Sequence, residues 1–167
     1  LYDWTGGRND KDREINPPGE LHINDRSNET CPWYAFWFKK GELKNATMEA
    51  RVKALSSSDG AVRMGIDYQQ WFTGVAIRPD GIQIEGGETF KVNMKEYHII
   101  RLVREEEKVT LYVDEKEAIK GNSRNLGAPF DGWDWFNRFV FGATSSTATG
   151  ESYWDYVACV RGAFPPD

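Results

Sequence analysis

The chain has 167 residues, 26 of them acidic and 21 basic, for a formal charge of -5 at pH 7. The basic residues form no stripe, which argues against nucleic acid as a partner, and no apolar run approaches the length of a membrane span. The length suits one domain with a sizeable core, so 1–167 reads as one unit. Leu1 is read as following a processing boundary.

Residues 1–20 mix Gly, adjacent Pro and many charges and read as an irregular N-terminal arm, leading into a short strand, ELHIN. Trp33 to Phe38, WYAFWF, lacks polar alternation: this strand is either covered on both faces or offers rings to a ligand on one. ATMEARVKAL alternates cleanly. Met48, Ala50, Val52 and Ala54 face one way and Glu49, Arg51 and Lys53 the other, which predicts a strand with one wet face. A Ser-Ser-Ser-Asp-Gly turn introduces GAVRMGID, where Val62, Met64 and Ile66 share a face. WFTGVAIR starts at Trp71 and ends at Pro79-Asp80-Gly81, a turn in which Pro fixes φ and Gly is free to adopt positive φ. Ile82 to Glu85 and the run of Phe90, Val92 and Met94 give short further strands.

Tyr97 to Asp114, YHIIRLVREEEKVTLYVD, carries two apolar runs about a charged tip and predicts a β-hairpin. Glu117 to Lys120 reads as a brief strand. Gly121 to Asp134 is rich in Gly, Asn, Asp and Pro, the composition of a long surface loop bordering a site. Trp135 to Gly142 and Ser152 to Ala163 are the last strands, and no segment reads as a helix. A strand roughly every ten residues predicts an all-β antiparallel β-sandwich.

The string YHIIRLVREEEKVTLYVDEKEAIKG, followed by FVFGATSSTATGESYWDYVACVRGAF, resembles the laminin G-like and concanavalin A-like lectin/glucanase group. The resemblance covers Ala46 to Phe164. It is similar to bacterial members in which a strand pair ending in LYVD precedes a final strand carrying WDYV, and it implies a jelly roll of two antiparallel sheets. The group includes sugar-binding modules, protein-binding modules, glycoside hydrolases and polysaccharide lyases. Its glucanase members place paired acids in an E-x-D-x-x-E pattern, which is missing here. Asp155 within WDY is a single carboxylate, whereas glycoside hydrolysis ordinarily needs two.

The seven Trp exceed the needs of packing and leave rings for a ligand. Trp71 and Tyr68 are the first aromatic candidates, with partial burial in the core as the competing reading. Arg63 and Arg78 are expected to point from neighbouring strands onto one sheet face, where a guanidinium fork suits paired hydroxyls or a uronic carboxylate. Trp133 and Trp135, in DGWDW, stand where the long loop meets a strand. Trp154 is expected in the core, and His22 and His98, on different strands, as structural imidazoles. Related jelly rolls often hold structural Ca2+, for which Asp155 and Asp25 are the candidate ligands, although no spaced oxygen-ligand loop is present. Cys31 and Cys159 are too sparse for a metal site. They read either as buried thiols or as a disulfide, and the closeness of the chain ends that the resemblance implies suits the bridge. The expected function is a non-catalytic carbohydrate-binding module of an extracellular, periplasmic or cell-surface protein, binding an oligo- or polysaccharide and joined to other domains of a larger chain. The alternatives are a polysaccharide-active hydrolase or lyase and a protein-binding laminin G-like module.

Overall fold

The computed structural model describes residues 5–6, 13–26, 32–39, 41–126, 137–144 and 147–167. In chain order the strands are β1 (Thr5–Gly6), β2 (Arg13–Asn16), β3 (Glu20–Asp25), β4 (Trp33–Trp37), β5 (Asn45–Ser57), β6 (Val62–Tyr68), β7 (Trp71–Arg78) and β8 (Gly81–Ile84). They continue with β9 (Thr89–Lys91), β10 (His98–Glu105), β11 (Lys108–Val113), β12 (Lys116–Asn122), β13 (Arg124–Asn125), β14 (Asn137–Ala143) and β15 (Gly150–Arg161). The first sheet has the lateral order β1-β4-β14-β6-β7-β8-β9, with β13 paired to β7, and the second β12-β11-β10-β5-β15-β3-β2. All the pairings are antiparallel. The result is the all-β sandwich that the alternating runs predict, of the jelly-roll, concanavalin A-like type that the resemblance implies.

The alternation of β5 explains its central place in the second sheet. Ala46, Met48, Ala50, Val52 and Ala54 are all fully buried, while Arg51 and Lys53 on the other face are half-exposed. The predicted hairpin is β10–β11, in register Ile100 with Val113 and Leu102 with Leu111. Its inward side chains meet Met64 and Ile66 of β6, Val75 and Ile77 of β7, and Phe139 and Phe141 of β14 in one core cluster. Each such side chain contributes roughly 1.5–3 kcal/mol through burial. Trp154 is in that core, 2% exposed, with its indole N–H donated to Ser152 Oγ at 2.9 Å.

Two boundaries differ from expectation. Within the arm, 13–16 pair with β3 as a hairpin about Pro17-Pro18-Gly19, because Glu14 and His22 share a register that two charged runs did not reveal. In the loop beginning at Gly121, residues 121–122 complete β12 and 124–125 pair with Phe72 and Trp71, and 127–134 lie outside the described residues. Among the described residues the one helical piece is a 3-10 turn, Ser58–Gly60.

The expected disulfide is not formed: Cys159 is a free thiol, and Cys31 lies outside the described residues. A bulge between Trp154 and Tyr156 shifts the parity of β15 and turns Val157 and Cys159 toward the core. Burial pushes the Cys159 thiol up to about 11.

Candidate functional site

The outer face of the first sheet brings together side chains far apart in sequence. Strand parity aims Trp33, Ala35 and Trp37 of β4 away from the core, whereas Tyr34 and Phe36 pack against it. The same parity puts Arg138 and Val140 of β14, Arg63, Gly65 and Asp67 of β6, and Phe72, Gly74, Ala76 and Arg78 of β7 on this face. In register, Ala35, Val140, Gly65 and Gly74 stand side by side across the strands, and Glu85, whose N–H bonds Gly74 O at 2.9 Å, extends the row. The row is low but covered: Ala35 and Gly65 are buried, Val140 Cγ1 lies beside Gly65, and the Glu85 carboxylate lies over Gly74. A Cβ at Gly65 would come within 2.9 Å of Thr73 O, and one at Gly74 within 2.9 Å of the Glu85 carboxylate, so the glycines allow close strand approach and leave room for Glu85.

On one side of the row run Trp37, Arg138, Asp67 and Phe72 in register. The Arg138 guanidinium lies 5.4 Å from the Trp33 ring centroid and 5.1 Å from that of Trp37, and so sits across both rings over Ala35. Its Nε donates to Asp67 Oδ2 at 2.8 Å. Asp67 is 3% exposed, and burial, reinforced by the charge of Glu85, raises its carboxyl above the usual range despite the opposing pull of Arg138. The cation thus locks two indole rings in position, an arrangement worth about 0.5–2 kcal/mol per ring contact.

On the other side stand Arg63, Ala76 and Gln83 in register. Arg63 donates through Nη1 to Glu85 Oε1 and through Nε to Gly60 O, the latter at 2.6 Å. Arg78 donates from Nη1 to Gln83 Oε1 at 3.0 Å, and Gln83 in turn donates to Gly87 O at 3.0 Å. The face therefore combines fixed aromatic rings and oriented polar groups. Rings of this kind cover the C–H face of a sugar while the polar groups bond its hydroxyls.

Of the residues expected from sequence, Arg63 and Arg78 do share this face. Tyr68 and Trp71 do not join them. Both flank the two-residue turn between β6 and β7 and belong to the inward-facing set: Tyr68 packs on the core with the Arg104 guanidinium 5.1 Å from its ring centroid, and Trp71 shares the parity of buried Thr73, Val75 and Ile77. Arg104 is itself 1% exposed, its pKa lowered to about 10 by burial. Trp133 and Trp135 lie outside the described residues. Asp25 is buried and pairs with Gly150, whereas Asp155 is exposed, five positions further along β15 on the opposite face, bonded to Arg51 Nη1 at 2.8 Å. The structure does not bring these two acids together. His22 bonds Glu14 and Glu151 and stacks on Tyr153 at 4.2 Å, and His98 bonds Asp114 at 2.7 Å, so both imidazoles are tied into the outer face of the second sheet. Sequence reasoning left open whether the Trp33–Phe38 strand offers its rings to a ligand, and it missed Asp67, Glu85 and Arg138. For the rings, the alternation within WYAFWF, which aligns the two Trp about Ala35, was the available signal.

No family model matches the chain, and no curated protein matches it by sequence. Solved structures share its fold. The binding domain of botulinum neurotoxin DC, in complex with rat synaptotagmin II, matches 98% of this chain at 7% identity with a TM-score of 0.60. A conserved carbohydrate esterase from the Shiga toxin-encoding bacteriophage phi24B matches 97% of this chain and 90% of its own at 11% identity, TM-score 0.62. The alginate lyase AlgAT5 of polysaccharide lyase family 7 matches 92% and 84% at 11% identity, TM-score 0.57. The chain spans 44% of the neurotoxin binding domain. The likeness is one of fold, and that fold serves both binding domains and carbohydrate-active enzymes.

Proposed function

We propose that this chain is a non-catalytic carbohydrate-binding module of an extracellular protein, which holds an oligo- or polysaccharide on the outer face of the first sheet. The observation that carries this reading is the Trp33–Arg138–Trp37 ledge, whose two indoles are partly exposed on the same face as the Arg63–Glu85 pair. The ledge supplies rigid ring faces, and the Arg63–Glu85 pair supplies oriented hydrogen-bonding groups. Fold relatives named as a carbohydrate esterase and an alginate lyase are in keeping with a glycan ligand.

The enzymatic alternative draws on Asp67 and Glu85, two carboxylates on one face, the first with its carboxyl pKa raised by burial. Each is bonded to an arginine, and Asp67 is covered, which suits a scaffold better than proton delivery to a substrate. A glycan-array screen with and without chelator, followed by product analysis after long incubation, tests the proposal. Binding without released oligosaccharides, lost in Trp37→Ala, is the expected result. Released products would replace the module reading with the enzyme, and a protein ligand in the absence of any glycan ligand would replace it with the protein-binding module.

A further inference from the structure

The outer face is not electrically uniform. At its β7–β9 end, Arg63 and Arg78 converge on Gly60 of the 3-10 turn: Arg63 bonds its carbonyl at 2.6 Å, and Arg78 Nη2 lies 3.2 Å from the point where a Cβ on Gly60 would stand. Glycine at this position, with φ of +67°, leaves room for Ala76 and the Arg78 guanidinium beside the turn. Lys91 joins them, since Arg78 pairs with Gly81 and Gly81 with Lys91, and Lys91 faces outward while its neighbour Phe90 packs on the core. Against these cations stands Glu85, already bonded to Arg63. Among the described residues neither Arg78 nor Lys91 forms an ion pair, with Asp59 and Asp80 of the adjoining turns or with any other acid. Arg78 is nevertheless oriented: Gln83, fixed by the Gly87 carbonyl, holds Nη1. The opposite end of the face differs, because Arg138 is matched there by Asp67.

Building on the proposed glycan reading, we infer that the Arg63–Arg78–Lys91 end of this face is an anion subsite that selects glycans carrying an acidic substituent, a carboxylate or a sulfate ester. Arg78 is the reader, its fork directed at the oxygens of the substituent. Arg63, neutralised by Glu85, serves to position the neighbouring hydroxyls. The neutral part of the chain then lies toward Trp33 and Trp37.

The test uses calorimetric titration of the wild-type chain and of Arg78→Gln and Arg78→Lys with three probes: an oligogalacturonate, its carboxyl-reduced neutral counterpart, and a sulfated galactan oligosaccharide. Thermal unfolding confirms that both variants fold. The expected result is a preference of about tenfold or more for at least one acidic probe over the neutral one, abolished in Arg78→Gln and partly kept in Arg78→Lys. The preference shrinks as salt screens the charges. The carboxylate and sulfate arms show which substituent is read. Equal affinity for acidic and neutral probes, unchanged in Arg78→Gln, would overturn the subsite and leave the glycan reading standing. Failure of every probe, on an array as well as in titration, would overturn the glycan reading and the subsite with it.

Discussion

Replacing Arg138 with Met asks how the aromatic ledge is held. Asp67 and Arg138 have side chains 4% and 17% exposed and meet at 2.8 Å. Removing the cation leaves a carboxylate in a buried site, which typically costs about 3–5 kcal/mol when the acid stays charged. The cost depends on pH in a defined direction. The Asp67 carboxyl is raised in the folded state by burial, so the folded chain keeps its proton at pH values where the unfolded chain has lost it. That contribution to stability is complete below the unfolded value and is lost as pH rises through the folded value. Loss of Arg138 raises the folded value further. The deficit of Arg138→Met relative to wild type is therefore expected to be smallest at acidic pH, where Asp67 is protonated in both folded chains, and to widen between acidic and neutral pH as the wild-type folded value is passed and until that of the variant is reached. Urea unfolding followed by tryptophan fluorescence across this range measures it. The double variant Asp67→Asn, Arg138→Met should recover most of the loss and show a flat profile. A deficit that is the same at both ends of the range, or a double variant no better than the single one, would show that Asp67 and Arg138 are not coupled as described.

Gly74→Ala is expected to fold but to displace the Glu85 carboxylate, which lies 2.9 Å from the new methyl, and to weaken glycan binding by about tenfold as Arg63 loses its partner; titration against wild type checks it. Trp154→Ala removes a ring that is 2% exposed and should cost about 3–5 kcal/mol in chemical denaturation. Cys159, raised to about 11 by burial, should react with a thiol reagent near neutral pH far more slowly in the folded chain than in denaturant, and equal rates would contradict its inward placement.

The fold class and most strand positions were legible because they follow from local alternation. Met48 to Ala54, Val62 to Ile66 and the Tyr97–Asp114 hairpin each present apolar side chains at every second residue, and a half-buried strand is the structure that separates such a pattern into a dry and a wet face. The joint placement of Arg63 and Arg78 on one face was legible for the same reason. Tyr68 and Trp71 were harder. At the ends of strands joined by a tight turn, parity alone decides whether a ring faces the core or a ligand, and the choice of outward depended on which face of β6 and β7 the second sheet covers. The rearranged parity of Cys159 was out of reach, because the bulge at Trp154 and Tyr156 arises from pairing with Val52 and Arg51, about a hundred residues earlier in the chain. The ledge itself is tertiary in origin. Trp37 meets Arg138, and Arg138 meets Asp67, only because β14 inserts between β4 and β6. Between bulges, the sequence alone determined which residues share a side of each strand, a property of the backbone repeat; where the bulges fall, which strands lie side by side, and so which side chains make a site, was decided by long-range pairing between segments that carry no local mark of their partners.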